Sequence, residues 1–266
     1  MKRWVLLGVF LLSPLGSGPA AGAEYQVGER HKNDNIWLQL NFYSMIDAAN
    51  AFGPTYKLSY LELEGGGRSS FLDLYYFFDI NEIFGWGDLH AEAGNFFTKV
   101  KPRFSLDCIF ARDLSAGPVR EWYLATQYKG FNGGEYYYAG VGVDLDVPGM
   151  DVLGLCFWPQ FLRTGEGVNF EYTGLQFSLN WYTLLFELPW ESTLTYQGWL
   201  DYGFLNHWGE NRPGGTYDEF QMFNGFFLNK DRFSLSCSLK FYYHFTYYDT
   251  NNANQNTLFF GLHYRL

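Results

Sequence analysis

Apolar and polar side chains alternate one by one along most of the chain from position 36 onward. In Ile36-Trp37-Leu38-Gln39-Leu40-Asn41-Phe42-Tyr43, one face carries Ile, Leu, Leu and Phe, and the other Trp, Gln, Asn and Tyr. In Ser59-Tyr60-Leu61-Glu62-Leu63-Glu64, the leucines share a face opposite Tyr60, Glu62 and Glu64. In Leu72-Asp73-Leu74-Tyr75-Tyr76-Phe77-Phe78-Asp79, the polar face holds Asp73 and Asp79 around Tyr75 and Phe77. A period of two predicts strands with unlike faces. The same reading predicts strands over 36–43, 59–64, 72–79, 96–107, 119–129, 136–147, 152–162, 169–181, 192–202, 218–228, 232–246 and 257–266, about twelve in all.

The connections alternate as well. Segments 66–70, 148–151 and 229–231 are short, whereas 79–94, 203–217 and 247–256 are long and rich in Gly, Asn or Asp. Short turns at one end and longer loops at the other is the pattern of outer-membrane barrels. Segment 108–118, on the short side by parity, is longer than the pattern asks, and the loops at 130–135 and 163–168, on the long side, are short.

Alternation by itself also suits a soluble β-sandwich or a lipocalin-like barrel. The aromatic residues change the picture: 27 Phe, 21 Tyr and 9 Trp make 21% of the 266 residues. Trp37, Tyr43, Tyr56, Trp158, Trp181, Tyr182, Trp190 and Tyr202 gather near predicted strand ends. An interfacial girdle puts them there, because such rings favour one apolar and one wet neighbour. The last segment, Phe260-Gly261-Leu262-His263-Tyr264-Arg265-Leu266, ends in phase with its apolar face, like the closing strand of bacterial outer-membrane barrels, although Leu266 stands where those usually have Phe. The predicted fold is therefore all-β: a transmembrane antiparallel β-barrel of about twelve strands.

Residues 1–23 read as a secretory leader. Lys2 and Arg3 precede an apolar stretch from Trp4 to Leu12, too short to span a bilayer, and Ala21-Gly22-Ala23 is a small-residue cleavage site. The expected organisation is a signal peptide at 1–23 and a barrel over 24–266, in the bacterial outer membrane after cleavage. A formal net charge of −10 makes a nucleic-acid polymer a poor partner, because phosphate is repelled. Cys108, Cys156 and Cys237 show neither a disulfide framework nor a metal spacing. No cofactor or metal site is expected.

Specific motifs narrow the reading. Lys101-Pro102-Arg103-Phe104-Ser105-Leu106-Asp107, followed by Asp113-Leu114-Ser115-Ala116-Gly117-Pro118-Val119-Arg120-Glu121-Trp122-Tyr123, resembles the nucleoside-specific channel family of the outer membrane, the Tsx and OmpK-like proteins. Supporting stretches are 59–64, Asp73-x-Tyr75-x-Phe77-x-Asp79 and Tyr138-Ala139-Gly140-Val141-Gly142-Val143-Asp144-Leu145-Asp146. The resemblance implies a monomeric twelve-stranded barrel that passes nucleosides and deoxynucleosides through a narrow lumen of aromatic and ionisable side chains. Lys99 and Lys101 depart from it, standing where it leads us to expect acidic residues.

If Leu61, Leu63, Leu72, Leu74, Phe104 and Leu106 face lipid, their neighbours face inward. The expected lumen set is Tyr60, Glu62, Glu64, Asp73, Tyr75, Phe77, Asp79, Lys99, Lys101, Arg103, Glu121, Tyr123, Tyr138, Asp144 and Asp146. Counting through the connections puts Glu62, Asp73 and Lys101 at nearly one height. Glu62, Glu64, Asp73 and Glu121 are the expected partners of the cations on 99–103, giving a mixed-charge constriction. Rings stack on a nucleobase, and carboxylates and lysines bond ribose hydroxyls and ring edges. A structural role stands beside this one. Arg103 with Glu121, or Lys101 with Asp73, can simply satisfy each other. Tyr60, Tyr75 and Phe77 can fill space, and Gly140 and Gly142 can make room in the wall.

The sequence thus predicts a channel for passive, selective diffusion of nucleosides and similar small solutes, and no enzyme. Its expected partners are those solutes, outer-membrane lipid, the outer-membrane assembly machinery and, through the long loops, phage or colicin. The alternatives are a closed barrel serving as adhesin or phage receptor, and an outer-membrane enzyme. For the latter, the five histidines form no visible catalytic arrangement, and Asp144 with Asp146 is the one carboxylate pair on a shared strand face singled out for acid–base work.

Overall fold

A computed structural model describes residues 35–48, 56–69, 71–82, 96–165, 169–207, 215–244 and 254–266. Its twelve strands are β1 (Asn35–Ala48), β2 (Tyr56–Ser69), β3 (Leu72–Asn81), β4 (Phe96–Ser105), β5 (Val119–Phe131), β6 (Gly134–Leu145), β7 (Val152–Thr164), β8 (Glu171–Leu188), β9 (Ser192–Phe204), β10 (Glu219–Lys230), β11 (Phe233–Tyr243) and β12 (Asn254–Arg265). Each pairs antiparallel with its neighbours, and β12 returns to β1 to close the barrel, with Gln39 opposite Arg265 and Ile46 opposite Leu258. Closure satisfies every strand edge, which a bilayer demands because it offers no water to the backbone. The leader expected at 1–23 and the long-loop segments 83–95, 208–214 and 245–253 lie outside the described residues.

The outer surface is apolar. Leu40, Leu63, Phe78, Ile80, Leu124, Val141, Phe157, Phe226, Leu228, Leu235, Phe260 and Leu262 are all exposed. In a water-soluble barrel that many large exposed apolar groups would be an aggregation surface; in hydrocarbon it is the required exterior. The interior is polar and aromatic. Asn41, Glu62, Glu121, Gln160, Gln176, Asp201 and His263 are buried there beside Tyr123, Tyr138 and Trp158.

Several local expectations need correction. The strand expected over 96–107 stops at Ser105, and Leu106–Phe110 form a short helix, α1. The cause is local: the Ser105 side chain accepts from the Cys108 N–H (3.1 Å) and caps the helix, overriding the alternation of Leu106 and Asp107. Leu106 is therefore not a lipid-facing strand residue. Asp107 accepts from the Leu114 N–H (3.2 Å), which orders the long connection into β5. Residues 66–69, expected as turn, continue β2, with Arg68 opposite Asp73. By contrast, the 130–135 connection is a tight Asn132-Gly133 hairpin, Gly133 taking the positive φ of 96° that such turns require.

The aromatic girdle is only partly real. Tyr182, Trp190 and Tyr202 are exposed, but Tyr43 and Trp158 are buried inside the barrel. The side chain of Tyr56 lies outside the described residues. Phe260 and Leu262 face outward as the phase of the closing strand requires. All three cysteines are free.

Candidate functional site

The inward face is the odd or even set on each strand, and packing divides it into two lobes. One lobe, on β12, β1 and β2, packs Tyr43, Met45, Ala48, Leu58 and Phe259, with Tyr60 against them. The other, on β5, β6 and β7, packs Ala125, Tyr138, Cys156 and Trp158, with Tyr136 against them. Trp158 fits because position 140 is glycine. A Cβ there would stand 2.2 Å from the Phe157 carbonyl oxygen and 2.9 Å from the Trp158 Cα, so Gly140 makes room in the wall. Between the lobes Tyr75, Phe77, Asp79, Phe97, Lys99, Lys101, Trp199, Phe223 and Lys240 remain partly accessible.

Lys99 crosses this space. It starts on β4 and its Nζ lies 3.5 Å from Asp201 and 5.2 Å from the ring centre of Trp199, both on β9. Those strands are five apart in a ring of twelve, so the contact joins nearly opposite walls. Lys129 meets the same Asp201 at 3.1 Å and Gln176 at 3.3 Å, and Ser178 donates to Asp201 at 2.6 Å. Lys240, on β11, lies 5.0 Å from the Trp199 ring centre, and Phe223 stacks on Trp199 with 13° between the planes. Lys101 lies over Trp158 at 5.4 Å.

The carboxylates of β2 and β3 form a second group. Asn41 donates its amide hydrogens to Glu62 (2.6 Å) and Glu64 (2.8 Å). Gln39 and Tyr75 also donate to Glu64, each at 2.8 Å. Asp79 stands directly opposite Glu62 in the β2–β3 register. Asn41 is itself held by His263 Nδ1 at 2.8 Å, and His263 Nε2 meets Ser236 Oγ at 2.8 Å. With the Asn41 amide hydrogens committed to carboxylates, Asn41 Oδ1 accepts from His263, and Ser236 donates to the remaining ring nitrogen. The chain joins β11, β12, β1 and β2 across the closing seam, and its effect is to fix where the Glu62 and Glu64 oxygens point.

A third group sits near the short turns. Arg103 bridges Asp73 and Asp144, the latter at 2.7 Å, and Arg68 pairs with Glu121 at 2.5 Å. Tyr123 Oη accepts from Arg68 (3.0 Å) and lies 2.8 Å from Glu121 and 2.7 Å from Asp144. The Arg103 guanidinium covers the Tyr123 ring at 4.2 Å.

Fourteen of the fifteen expected lumen residues point into the barrel, in these three groups or in the packed lobes. Asp146 does not. It lies past the end of β6, exposed, paired with Arg120 at 2.9 Å on the rim. It therefore forms no working pair with Asp144, which Arg103 and Tyr123 occupy. The expected pairings also change. Glu121 takes Arg68 rather than Arg103, and Asp73 takes Arg103 rather than Lys101. Glu62 and Asp73 are not level, because Glu62 is opposite Asp79 while Asp73 is opposite Arg68 and Arg103. The miscount follows from treating 66–69 as turn. The lysines of β4 find Asp201 and indole faces instead of the β2–β3 carboxylates. Arg68, Lys129, Trp199, Asp201, Lys240 and His263 were missed altogether. Strand parity marks each as inward, but only barrel closure says which of them meet.

An apolar exterior around a closed barrel whose interior is charged and aromatic defines the class: an outer-membrane β-barrel of the channel type. The comparisons go further. The family profile described as "Nucleoside-specific channel-forming protein, Tsx" matches residues 32–266, and the chain belongs to that family. It is 33% identical over 245 residues to outer membrane protein OmpK of Vibrio parahaemolyticus, covering 90% of this chain and 89% of the relative. It is 26% identical over 200 residues to the nucleoside-specific channel-forming protein Tsx of Salmonella typhimurium, covering 69% of this chain and 68% of the relative. Among solved structures the NanC porin aligns over 86% of this chain and all of that one, at 8% identity and a TM-score of 0.49. The chain is thus a channel-forming protein of the Gram-negative outer membrane, in a family of channels rather than enzymes.

Proposed function

We propose that the channel carries nucleosides and similar small solutes by passive, selective diffusion through the space between the two packed lobes. The observation that carries this reading is the set of partly accessible rings there, Tyr75, Phe77, Trp199 and Phe223, with charged groups beside them. A nucleoside is a flat heterocycle on a polyhydroxylated sugar. It suits a passage with ring faces for the base and carboxylates or ammoniums for the hydroxyls. Weak successive sites favour flux, because a tight site would hold its solute. The relatives named for nucleoside specificity support the same class of solute. Cleavage after Ala23 and handling by the outer-membrane assembly machinery complete the proposal; the amino-terminal sequence of the mature protein tests the first.

The functional test is current block in a planar bilayer. Nucleosides should interrupt ion current in a concentration-dependent way, and the corresponding free sugars should not. Replacing Tyr75 and Phe77 together by Ala should raise the half-blocking concentration about tenfold, since one stacked base contributes about 1–3 kcal/mol. Heat-modifiable gel mobility checks that the variant still folds. Unchanged block in the folded variant demotes both rings to space-filling.

A further inference from the structure

On the outer wall, at the long-loop end of β5–β8, four rings lie in one row across adjacent strands. Tyr128 is opposite Tyr137, Tyr137 opposite Phe161, and Phe161 opposite Tyr172. The row has the parity of the exposed Leu124, Val141 and Phe157, so it faces outward. Phe170 joins its middle: the ring stacks on Phe161, centres 5.1 Å apart and planes 6° apart, and lies 5.4 Å from Tyr137. Phe170 holds a φ of 47°, which a residue with a Cβ disfavours, and is still 55% exposed. Two residues nearer the rim, Glu135 and Arg163 are opposite each other and pair at 2.6 Å. Tyr128 and Tyr137 also donate to Glu135, which turns its charge toward the wall. Arg163 is 53% exposed, and one carboxylate cannot take up all five of its N–H donors. The connections over this wall, 132–133 and 165–170, are the two shortest at that end, so the wall stops a few residues past the row.

We propose that this wall is a docking site for a phosphorylated glycolipid of the outer leaflet, with a sugar ring on Phe170 and Tyr172 and a phosphate on Arg163. The long-loop end of such a barrel faces out of the cell. There the Gram-negative outer membrane presents lipopolysaccharide, whose headgroup begins with phosphorylated sugars. The row stands at the strand ends, where acyl chains give way to headgroups. A sugar ring has a face of C–H groups that packs on an aromatic ring, and a guanidinium fork bonds phosphate through two parallel N–H groups. An interfacial girdle alone needs neither a half-free guanidinium beside its rings nor a Phe held in the left-handed region with its ring uncovered. A phospholipid headgroup offers the phosphate without the sugar face and fits only half of the site. The site lies outside the lumen and does not depend on which solute passes.

The test is lipid titration of the protein in detergent micelles, read by native mass spectrometry. Lipid A carrying both phosphates should bind with a dissociation constant about tenfold below that of phosphatidylglycerol and of lipid A stripped of its phosphates, the size of one charge-assisted hydrogen bond. Arg163→Ala should remove that advantage. Phe170→Ala should weaken both forms of lipid A and leave phosphatidylglycerol unchanged. Arg120→Ala takes a cation from the exposed pair with Asp146 at the short-turn rim and should change none of these values. Lipid A that binds the unmodified protein no better than its dephosphorylated form, or no better than phosphatidylglycerol, overturns the proposal without any variant having to fold. An advantage that survives Arg163→Ala, or that Arg120→Ala abolishes equally, overturns it as well. Unchanged binding of both lipid A forms to Phe170→Ala overturns the sugar contact.

Discussion

Two regions of the lumen use the same kinds of side chain to opposite effect. Near the short turns Arg68, Asp73, Arg103, Glu121, Tyr123 and Asp144 form one continuous network in which every charge touches an opposite charge. Farther along the strands the carboxylates of β2–β3 and the ammoniums of β4, β5 and β11 stand apart, linked to amides, hydroxyls and rings, with Asp201 their one direct pairing among the described residues. A buried charge must be compensated. The first region does so with the opposite charge, which leaves little capacity for a solute. The second does so with weaker neutral donors and π faces, which a solute can supplement or displace. On the proposed reading, paired charges belong to the wall and separated charges to the passage.

That division is easiest to break at Arg103. Its guanidinium serves Asp73 and Asp144 at once and covers Tyr123, so Arg103→Ala leaves two carboxylates facing each other without a cation. Removing one partner of a buried ion pair costs about 3–5 kcal/mol. The unfolding midpoint in urea and lipid vesicles should fall by the corresponding amount, whereas Lys240→Met, which breaks no ion pair among the described residues, should change it far less. Equal losses in the two variants would mean that the second region is as structural as the first.

The next test concerns conductance rather than stability. Changing Lys99 and Lys101 to Glu reverses two charges on the cationic side and leaves the β2–β3 carboxylates in place. Under a salt gradient the reversal potential should move toward cation selectivity. Fold is checked by heat-modifiable mobility, since the carboxylate introduced at position 99 would face Asp201. A folded variant with unaltered reversal potential would show that these lysines do not border the conducting path.

What the sequence made legible follows the same division. Period-two alternation was enough for the strand number, the lipid face and the inward direction of Glu62, Tyr75, Lys99 and Arg103, because alternation is a property of a single strand. Where it failed locally, at Ser105–Asp107, a side-chain cap competed with it. Contacts across the lumen were not legible. Lys99 and Asp201 are 102 positions apart, and Asn41 and His263 are 222 apart. Each of these contacts depends on the accumulated register of the barrel. An error at one turn, such as 66–69, shifts every height after it. The Arg103–Asp73 contact lies on adjacent strands and was still misassigned, because the β3–β4 register cannot be counted through the long connection between them. The motif at 101–123, on which the family resemblance was read, holds Arg103, Glu121 and Tyr123 of the paired network.

The smallest expected effect is also the finest test of how the paired network is held. Arg68 makes two separate bonds from its two terminal nitrogens, to Tyr123 Oη at 3.0 Å and to Glu121 at 2.5 Å. Lysine keeps the charge but offers one nitrogen on a flexible stem and cannot hold both acceptors in the same fixed geometry. Arg68→Lys should keep the ion pair with the buried Glu121 and lose the bond to Tyr123. The expected cost is about 1 kcal/mol, the net worth of one hydrogen bond, against the several expected for Arg103→Ala. Tyr123 would then rely on Glu121 and Asp144 for its hydroxyl contacts, and its single proton can serve one of them at a time. A double-mutant cycle between Arg68→Lys and Tyr123→Phe reads this coupling directly. A coupling near zero would mean that Arg68 acts on Glu121 alone, and that Tyr123 is held by Arg103 and Asp144 without it.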